Sequence, residues 1–218
     1  MAIPTNPTKL EQGYNLRELS KHIDWFHIMS YDINGAWNEN AGSNTDMKYI
    51  SDTITDSILN QGISPEQLVF GMASYGRSMV LTSKECNTAG CPINGPGYAG
   101  CSGEQGFLPY FEIQEEYVTP GQYDSLLINK DTGSMEMILN GGDIFVSFDL
   151  DETYEIKREW YLSKCLRGQM WWAVDMIKTP PFGTTVTTTT TTQADVQEPD
   201  DVLLQQPSTT LNAPGVTQ

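Results

Sequence analysis

Three short stretches of this 218-residue chain gather side chains able to do chemistry. Tyr31-Asp32 is followed by Asn34-Gly35-Ala36-Trp37. Tyr75-Gly76-Arg77-Ser78 forms the second stretch, and Trp172 with Asp175 the third. A phenol, a carboxylate and a guanidinium can hydrogen-bond the substituents of a sugar. Flat aromatic faces with polar edges can stack on the apolar faces of its rings. The set points to a carbohydrate site. The same aromatics also fit ordinary core or rim packing, and composition alone leaves both readings open.

Other chemistries fit less well. Gly71–Ser78 is spaced like a phosphate loop with Arg77 in place of lysine, but Met79-Val80-Leu81-Thr82 does not open the helix such a loop needs. His22 and His27 are five residues apart, which suits no metalloprotease motif, and His27 falls inside an apolar run. Cys86 and Cys91 have no convincing second pair to complete a zinc site; Cys101 follows nearby and Cys165 stands alone. A loop disulfide is the better use of such residues in a secreted protein, with the pairing left open. Twenty-eight acidic residues against 12 basic give a net charge of −16. That balance argues against nucleic acid, whose binding rests on Lys and Arg neutralising phosphates.

The three stretches must be held by regular elements. Trp25–Tyr31, Leu68–Ala73 and Gln169–Val174 are apolar runs of strands buried on both faces, and Ile144–Phe148 is a shorter one. Met47, Ile50, Ile54 and Ile58 keep helical spacing; Asn44 or Thr45 can cap that helix and Gly62 can stop it. A second helix spans about Asp151–Lys164. Leu16, Leu19 and Ile23 mark a third, and Met1–Pro4 reads as the end of another strand. This alternation predicts an α/β fold with a parallel sheet, whose functional residues gather at the C-terminal strand ends. Residues 79–143, rich in Gly, Pro, Asn and Tyr, break the alternation and predict an inserted α+β subdomain.

Residues 184–192 are eight Thr and one Val, so 183–218 read as a disordered Thr-rich tail, either a glycosylated stalk or a plain linker. No apolar run reaches the roughly 20 residues that cross a bilayer. Met1–Pro7 lacks the basic start and apolar stretch of a signal peptide.

The ordered motifs resemble glycoside hydrolase family 18, the chitinases. Met29-Ser30-Tyr31-Asp32 with Gly35 and Trp37 is similar to the family's Met-x-Tyr-Asp and Gly-x-Trp segment. Gly71–Ser78 resembles its seventh strand, and Gly168–Asp175 its last. Gly95-Pro96-Gly97 and Gly106–Glu112 resemble its insertion between those strands, and Gly42–Thr45 a stretch that follows the tryptophan. The cysteine-bearing insertion and the Thr-rich segment look most like fungal-type members.

The resemblance implies a partial TIM (β/α)8 barrel, strands five to eight, with residues 1–182 as the C-terminal part of a catalytic domain. A whole barrel takes about 250 residues. It implies Tyr31 and Asp32 as catalytic groups and Trp37, Tyr75, Arg77, Glu112 and Trp172 as substrate-binding ones. The implied ligand is chitin or chito-oligosaccharides, with no cofactor or metal, a monomeric state if the chain folds, and an extracellular setting. The family's acid motif, Asp-x-x-Asp-x-Asp-x-Glu, does not occur in these residues. Counting from Asp149 puts Glu152 fourth but Tyr154 sixth and Ile156 where the acid belongs. That window reads as a strand end and the acidic first turn of a helix. The resemblance therefore predicts a chain that is inactive alone, or a non-catalytic, lectin-like chitin binder.

Overall fold

The computed structural model describes residues 1–177; the expected tail at 183–218 lies outside them. In chain order the elements are β1 (Ala2–Pro4), α1 (Pro7–Gly13), α2 (Leu16–Leu19), β2 (Phe26–Met29), α3 (Met47–Ser57), β3 (Leu68–Ala73) and β4 (Tyr75–Leu81). There follow β5 (Ile93–Pro96), β6 (Phe107–Pro109), α4 (Tyr110–Glu112, widening into a π turn over Ile113–Val118), β7 (Ser125–Asn129), β8 (Ser134–Leu139), β9 (Ile144–Phe148), α5 (Asp151–Ser163) and β10 (Gly168–Trp172).

Four strands form a parallel sheet in the order β1-β2-β3-β10. All six residues of central β3 are buried, as an apolar run predicts. The face packed on the helices holds Ile3, Phe26, Ile28 and Phe70, which meet Ile50 and Ile54 of α3 and Tyr161 of α5. Each fully buried apolar side chain contributes about 1.5–3 kcal/mol. Strands β1 and β10 each pair on one side only among the described residues, leaving two open edges.

The second sheet is antiparallel, in the order β5-β4-β9-β8-β7, with β6 also against β4. Here the structure differs from the simple alternation. The chain turns at Ser74, and Tyr75–Leu81 leaves the parallel sheet to start this one, so no helix follows the Gly71–Ser78 segment. Ile144–Phe148 lies between β4 and β8 rather than among the parallel strands. One disulfide joins Cys86 to Cys91, while Cys101 and Cys165 are free.

The helix ends differ from those the sequence predicts. Helix α3 is capped by Asp46, whose side chain accepts from the Tyr49 N–H; Asn44 and Thr45 are occupied elsewhere. It stops at Ser57, and Gly62 closes the following 3-10 turn instead. Ile23 falls outside helix α2, and α1 was not anticipated. Asn6 caps α1 and Pro7 opens it, a start signal that was legible in the sequence.

The acidic window Phe148–Glu155 is, as expected, a strand end followed by a helix. Its Asp149 is fully buried and paired with Lys157 of α5 at 2.6 Å. Lys157 also donates to the Gly133 carbonyl, and Asp149 accepts from the Thr45 and Thr153 hydroxyls. This cluster ties α5 to the β7–β8 turn and to the loop before α3. Removing one partner strands a buried charge, so Lys157→Met should destabilise the chain by about 3–5 kcal/mol in urea unfolding. A loss under about 1 kcal/mol would mean the pair is dispensable.

Candidate active site

Strand β2 ends at Met29, and the next residues turn into the mouth of the parallel sheet. Tyr31 is buried, its ring edge-on to Tyr75 at 6.0 Å. The ring needs Gly71 beneath it: a Cβ there would lie 2.3 Å from the Ile28 carbonyl oxygen and 3.0 Å from the Tyr31 ring. Asp32 has a φ of +57°, a left-handed conformation that few non-glycine residues adopt. What holds it is Asn44, which is fully buried. The Asp32 N–H donates to Asn44 Oδ1 at 2.9 Å, Asn44 Nδ2 donates to the Tyr75 carbonyl, and the Asn44 N–H donates to Ser147 Oγ. One asparagine thus joins the end of the parallel sheet to β4, through its side-chain amide, and to β9, through its backbone N–H.

Three donors converge on a single oxygen of Asp32. The Tyr75 hydroxyl reaches Oδ1 at 2.8 Å, and Arg77 reaches it through Nε at 2.9 Å and Nη2 at 2.8 Å. Oδ2 takes part in none of these bonds, and the side chain stays 41% exposed. The Arg77 guanidinium lies 5.1–5.3 Å from the ring centres of Trp37, Tyr75 and Phe107, within cation–π range. Its Nη1 pairs with Glu104 at 3.0 Å. Tyr75 stacks on Phe107 at 4.5 Å. Burial, reinforced by the Asp32 charge, lifts the Tyr75 phenol well above its ordinary pKa and that of Tyr31 to about 12. Both phenols are therefore hydrogen-bond donors at neutral pH, not acids.

Two indoles lie open at this mouth. Trp37 is 58% exposed, its ring laid over Gly35, where any Cβ would come within 2.4 Å of it. Trp172, 55% exposed, ends β10 beside Ala73, and its carbonyl accepts the Ser74 N–H. A cleft of about 700 Å³ opens against Tyr31, Asp32, Asn34, Trp37 and Asn38, with Lys9 and Tyr49 on its far wall.

The structure therefore brings Tyr31, Asp32, Trp37, Tyr75 and Arg77 into contact, with Trp172 at a neighbouring strand end. Glu112 stands apart. It is buried, and Oε1 accepts the Cys101 N–H while Oε2 makes no hydrogen bond in the protein. The carboxylate that reaches the cluster from the insertion is Glu104, which sequence reasoning missed. Nothing in the local pattern of Cys101-Ser102-Gly103-Glu104 marks it, because its partner Arg77 is 27 residues away. Among the described residues, no three His, Cys, Asp or Glu are grouped to hold a metal ion. His27 instead accepts the Trp25 indole N–H.

The family model for glycosyl hydrolases family 18 matches residues 1–176. Probable chitinase 10 of Drosophila melanogaster is 29% identical over 188 residues, covering 81% of this chain and 8% of that protein. Probable chitinase 2 of the same fly is 29% identical over 191 residues, 80% of this chain and 38% of the relative. Among solved structures, the Group IV chitinase of Ostrinia furnacalis in complex with allosamidin superposes with a TM-score of 0.74 at 26% identity. The family 18 chitinase of Cycas revoluta in complex with (GlcNAc)3 gives 0.68 at 25%. Each covers 80% of this chain, which in turn covers 50% of each of them. The chain thus spans about half the length of these solved relatives.

The Tyr31 phenol makes a pH prediction. Its pKa rises from 10.0 to about 12 on folding, so the folded state keeps a proton that the unfolded chain loses. That stabilisation is complete below pH 10.0 and is lost as the pH climbs through about 12. Tyr31→Phe should therefore lose less stability than the wild type across this interval in alkaline denaturant melts. Equal slopes for the two chains would rule the assignment out.

Proposed function

The chain belongs to glycosyl hydrolases family 18, and on that premise we propose that its cleft binds β-1,4-linked N-acetylglucosamine chains, chitin or chito-oligosaccharides. The observation that carries this reading is the Tyr31–Asp32–Tyr75–Arg77 cluster, flanked by two half-exposed indoles. We propose that residues 1–182 correspond to the C-terminal part of a catalytic domain, and that the insertion subdomain expected at 79–143 is the antiparallel sheet, which runs from Tyr75 to Phe148.

The family reaction is substrate-assisted retention, an exception to the two-carboxylate scheme. A glutamic acid protonates the glycosidic oxygen while the substrate's own 2-acetamido carbonyl attacks the anomeric carbon. In that scheme Tyr31, protonated at neutral pH, donates to the acetamido group and holds it in line. Asp32, with Oδ1 tied to Tyr75 and Arg77, offers Oδ2 to the sugar and helps distort it. Trp172 lies under the same ring, Trp37 lines the leaving-group side, and Tyr75 and Arg77 support the neighbouring wall. Glu112 contributes through the Cys101 loop rather than by touching sugar.

Positioning groups accelerate only a step that has an acid to carry it. The Asp-x-x-Asp-x-Asp-x-Glu motif is absent from these 218 residues, and burial leaves both phenols too weakly acidic to replace it. This favours a second reading for the chain by itself: a chitin-binding, lectin-like module. An extracellular setting is supported by the Cys86–Cys91 disulfide, a bond that persists in oxidising compartments.

On insoluble chitin, the purified chain should be retained, and Trp172→Ala should weaken retention about tenfold or more, as loss of a central aromatic anchor does. It should release no sugar from chito-oligosaccharides. Failure to bind chitin would sink the proposed ligand; measurable turnover would sink the claim of inactivity.

A further inference from the structure

Trp37 rides on a loop that leaves the sheet at Asp32 and returns at Asn44. The ends of that loop are tied down: the Ile33 N–H donates to the Asn44 carbonyl, and Asn34 Nδ2 donates to the Ser43 carbonyl. Its near turn is closed by the Asn38 N–H on the Gly35 carbonyl and by Asn38 Oδ1 on the Gly35 N–H. Its tip leans on the chain segment that holds the only disulfide among the described residues. The Ala41 N–H donates to the Cys91 carbonyl at 2.8 Å, and the Gly90 N–H to the Ala41 carbonyl at 2.8 Å. The Ile93 N–H donates to the Glu39 carbonyl at 3.0 Å, and Asn40 pairs with Pro92 as an antiparallel bridge. The loop tip is thus a short extra strand laid along residues 90–93.

The far end of that edge is held by β4, where Ile93 pairs with Leu81 and the Thr82 N–H and hydroxyl both donate to the Pro92 carbonyl; its near end, at Gly90 and Cys91, belongs to the turn that the disulfide closes. Ala41 and Cys91 are buried together against Met79, Leu81 and Phe145, but residues 82–92 contain no helix or strand of their own. The disulfide closes a loop with a sequence separation of only 5. Closing so short a loop removes little entropy from the unfolded chain, so its contribution to global stability is near the low end for such bonds. Its effect is local: it fixes the turn from which the Gly90 N–H and the Cys91 carbonyl face Ala41.

We propose that the Cys86–Cys91 disulfide is a positioning device for the cleft, holding the edge on which the Glu39–Ala41 segment lies and so keeping Trp37 in place for sugar stacking. The role in stacking rests on the proposed function; the mechanical coupling does not. With the bond open, the Glu39–Ala41 segment frays and Trp37 has to be ordered as the ligand binds. The expected penalty is that of immobilising one large side chain, about three- to tenfold in affinity.

The 218-residue chain, Cys86→Ser, Trp37→Ala and their combination test this. Keeping Cys91 leaves its buried side chain in its apolar cluster. N-acetylchitotetraose affinity is measured by calorimetry, Ala41 amide exchange by NMR, and a thermal melt is recorded for each chain. Cys86→Ser should lose about three- to tenfold in affinity, exchange the Ala41 N–H faster, and melt close to the wild type. Added to Trp37→Ala, it should cause no further loss, because the disulfide acts through Trp37. Unchanged Ala41 exchange, or losses that add, would overturn the inference. If no chain binds the sugar, the proposed ligand fails and the Ala41 exchange still decides the coupling. Should Cys86→Ser not fold, the wild type in excess dithiol gives the same open loop, the dithiol supplying the two electrons and two protons that convert the Sγ–Sγ bond to two thiols.

Discussion

The cleft depends on a single buried amide. Asp32 adopts a backbone conformation that costs an ordinary residue about 1 kcal/mol or more, and it keeps that conformation because its N–H is captured by Asn44. Asn44 has no solvent to fall back on. Its side chain is satisfied only when Asp32 and Tyr75 are both in position, and an unmet buried amide would cost about 1–3 kcal/mol. The geometry of Asp32 is therefore coupled to the joint between two sheets, not to its own loop. From that point the rest follows: with the backbone fixed, one carboxylate oxygen of a cleft-lining residue meets three donors and the other takes part in none of these bonds.

A second constraint keeps the first in place. Arg77 carries its charge among three aromatic rings and two carboxylates, and burial alone would favour releasing its proton. Asp32 and Glu104 more than offset that tendency, so the guanidinium remains a fixed cation between the parallel sheet's mouth and the insertion loop. Below it, the Lys157–Asp149 cluster grips Thr45, the residue after Asn44. Cleft residues from separate elements are thus clamped to one polar seam, which suits the proposed ligand, one that must be held in a defined posture.

Much of this was legible in the sequence. Apolar runs marked β2, β3 and β10, helical spacing marked the inner face of α3, and the clustering of Tyr31, Asp32, Trp37, Tyr75 and Arg77 followed from the strand ends they close. What escaped has a common physical origin. Asn44 and Thr45 carry the chemistry of helix caps, but tertiary partners claimed both and Asp46 took the cap. Tyr75–Ser78 reads as the end of the Leu68–Ala73 strand, with an insertion from residue 79, whereas the chain changes sheets earlier, at Ser74, a turn of one residue that carries no glycine or proline of its own. Glu112, expected at the cluster, bonds the Cys101 N–H, and Glu104, which was not expected, meets Arg77, because a carboxylate's partner is chosen by the path of the chain between β4 and β9, which no local period encodes.

The central claim is that Asn44 sets a carbohydrate-binding posture of Asp32. Calorimetric titration of N-acetylchitotetraose into the wild-type chain and into Asn44→Ala, with both chains confirmed folded by their melts, tests it most directly. The account predicts measurable wild-type binding that Asn44→Ala, though buried and no part of the cleft lining, weakens about tenfold or more. Equal affinities in two folded chains would contradict it.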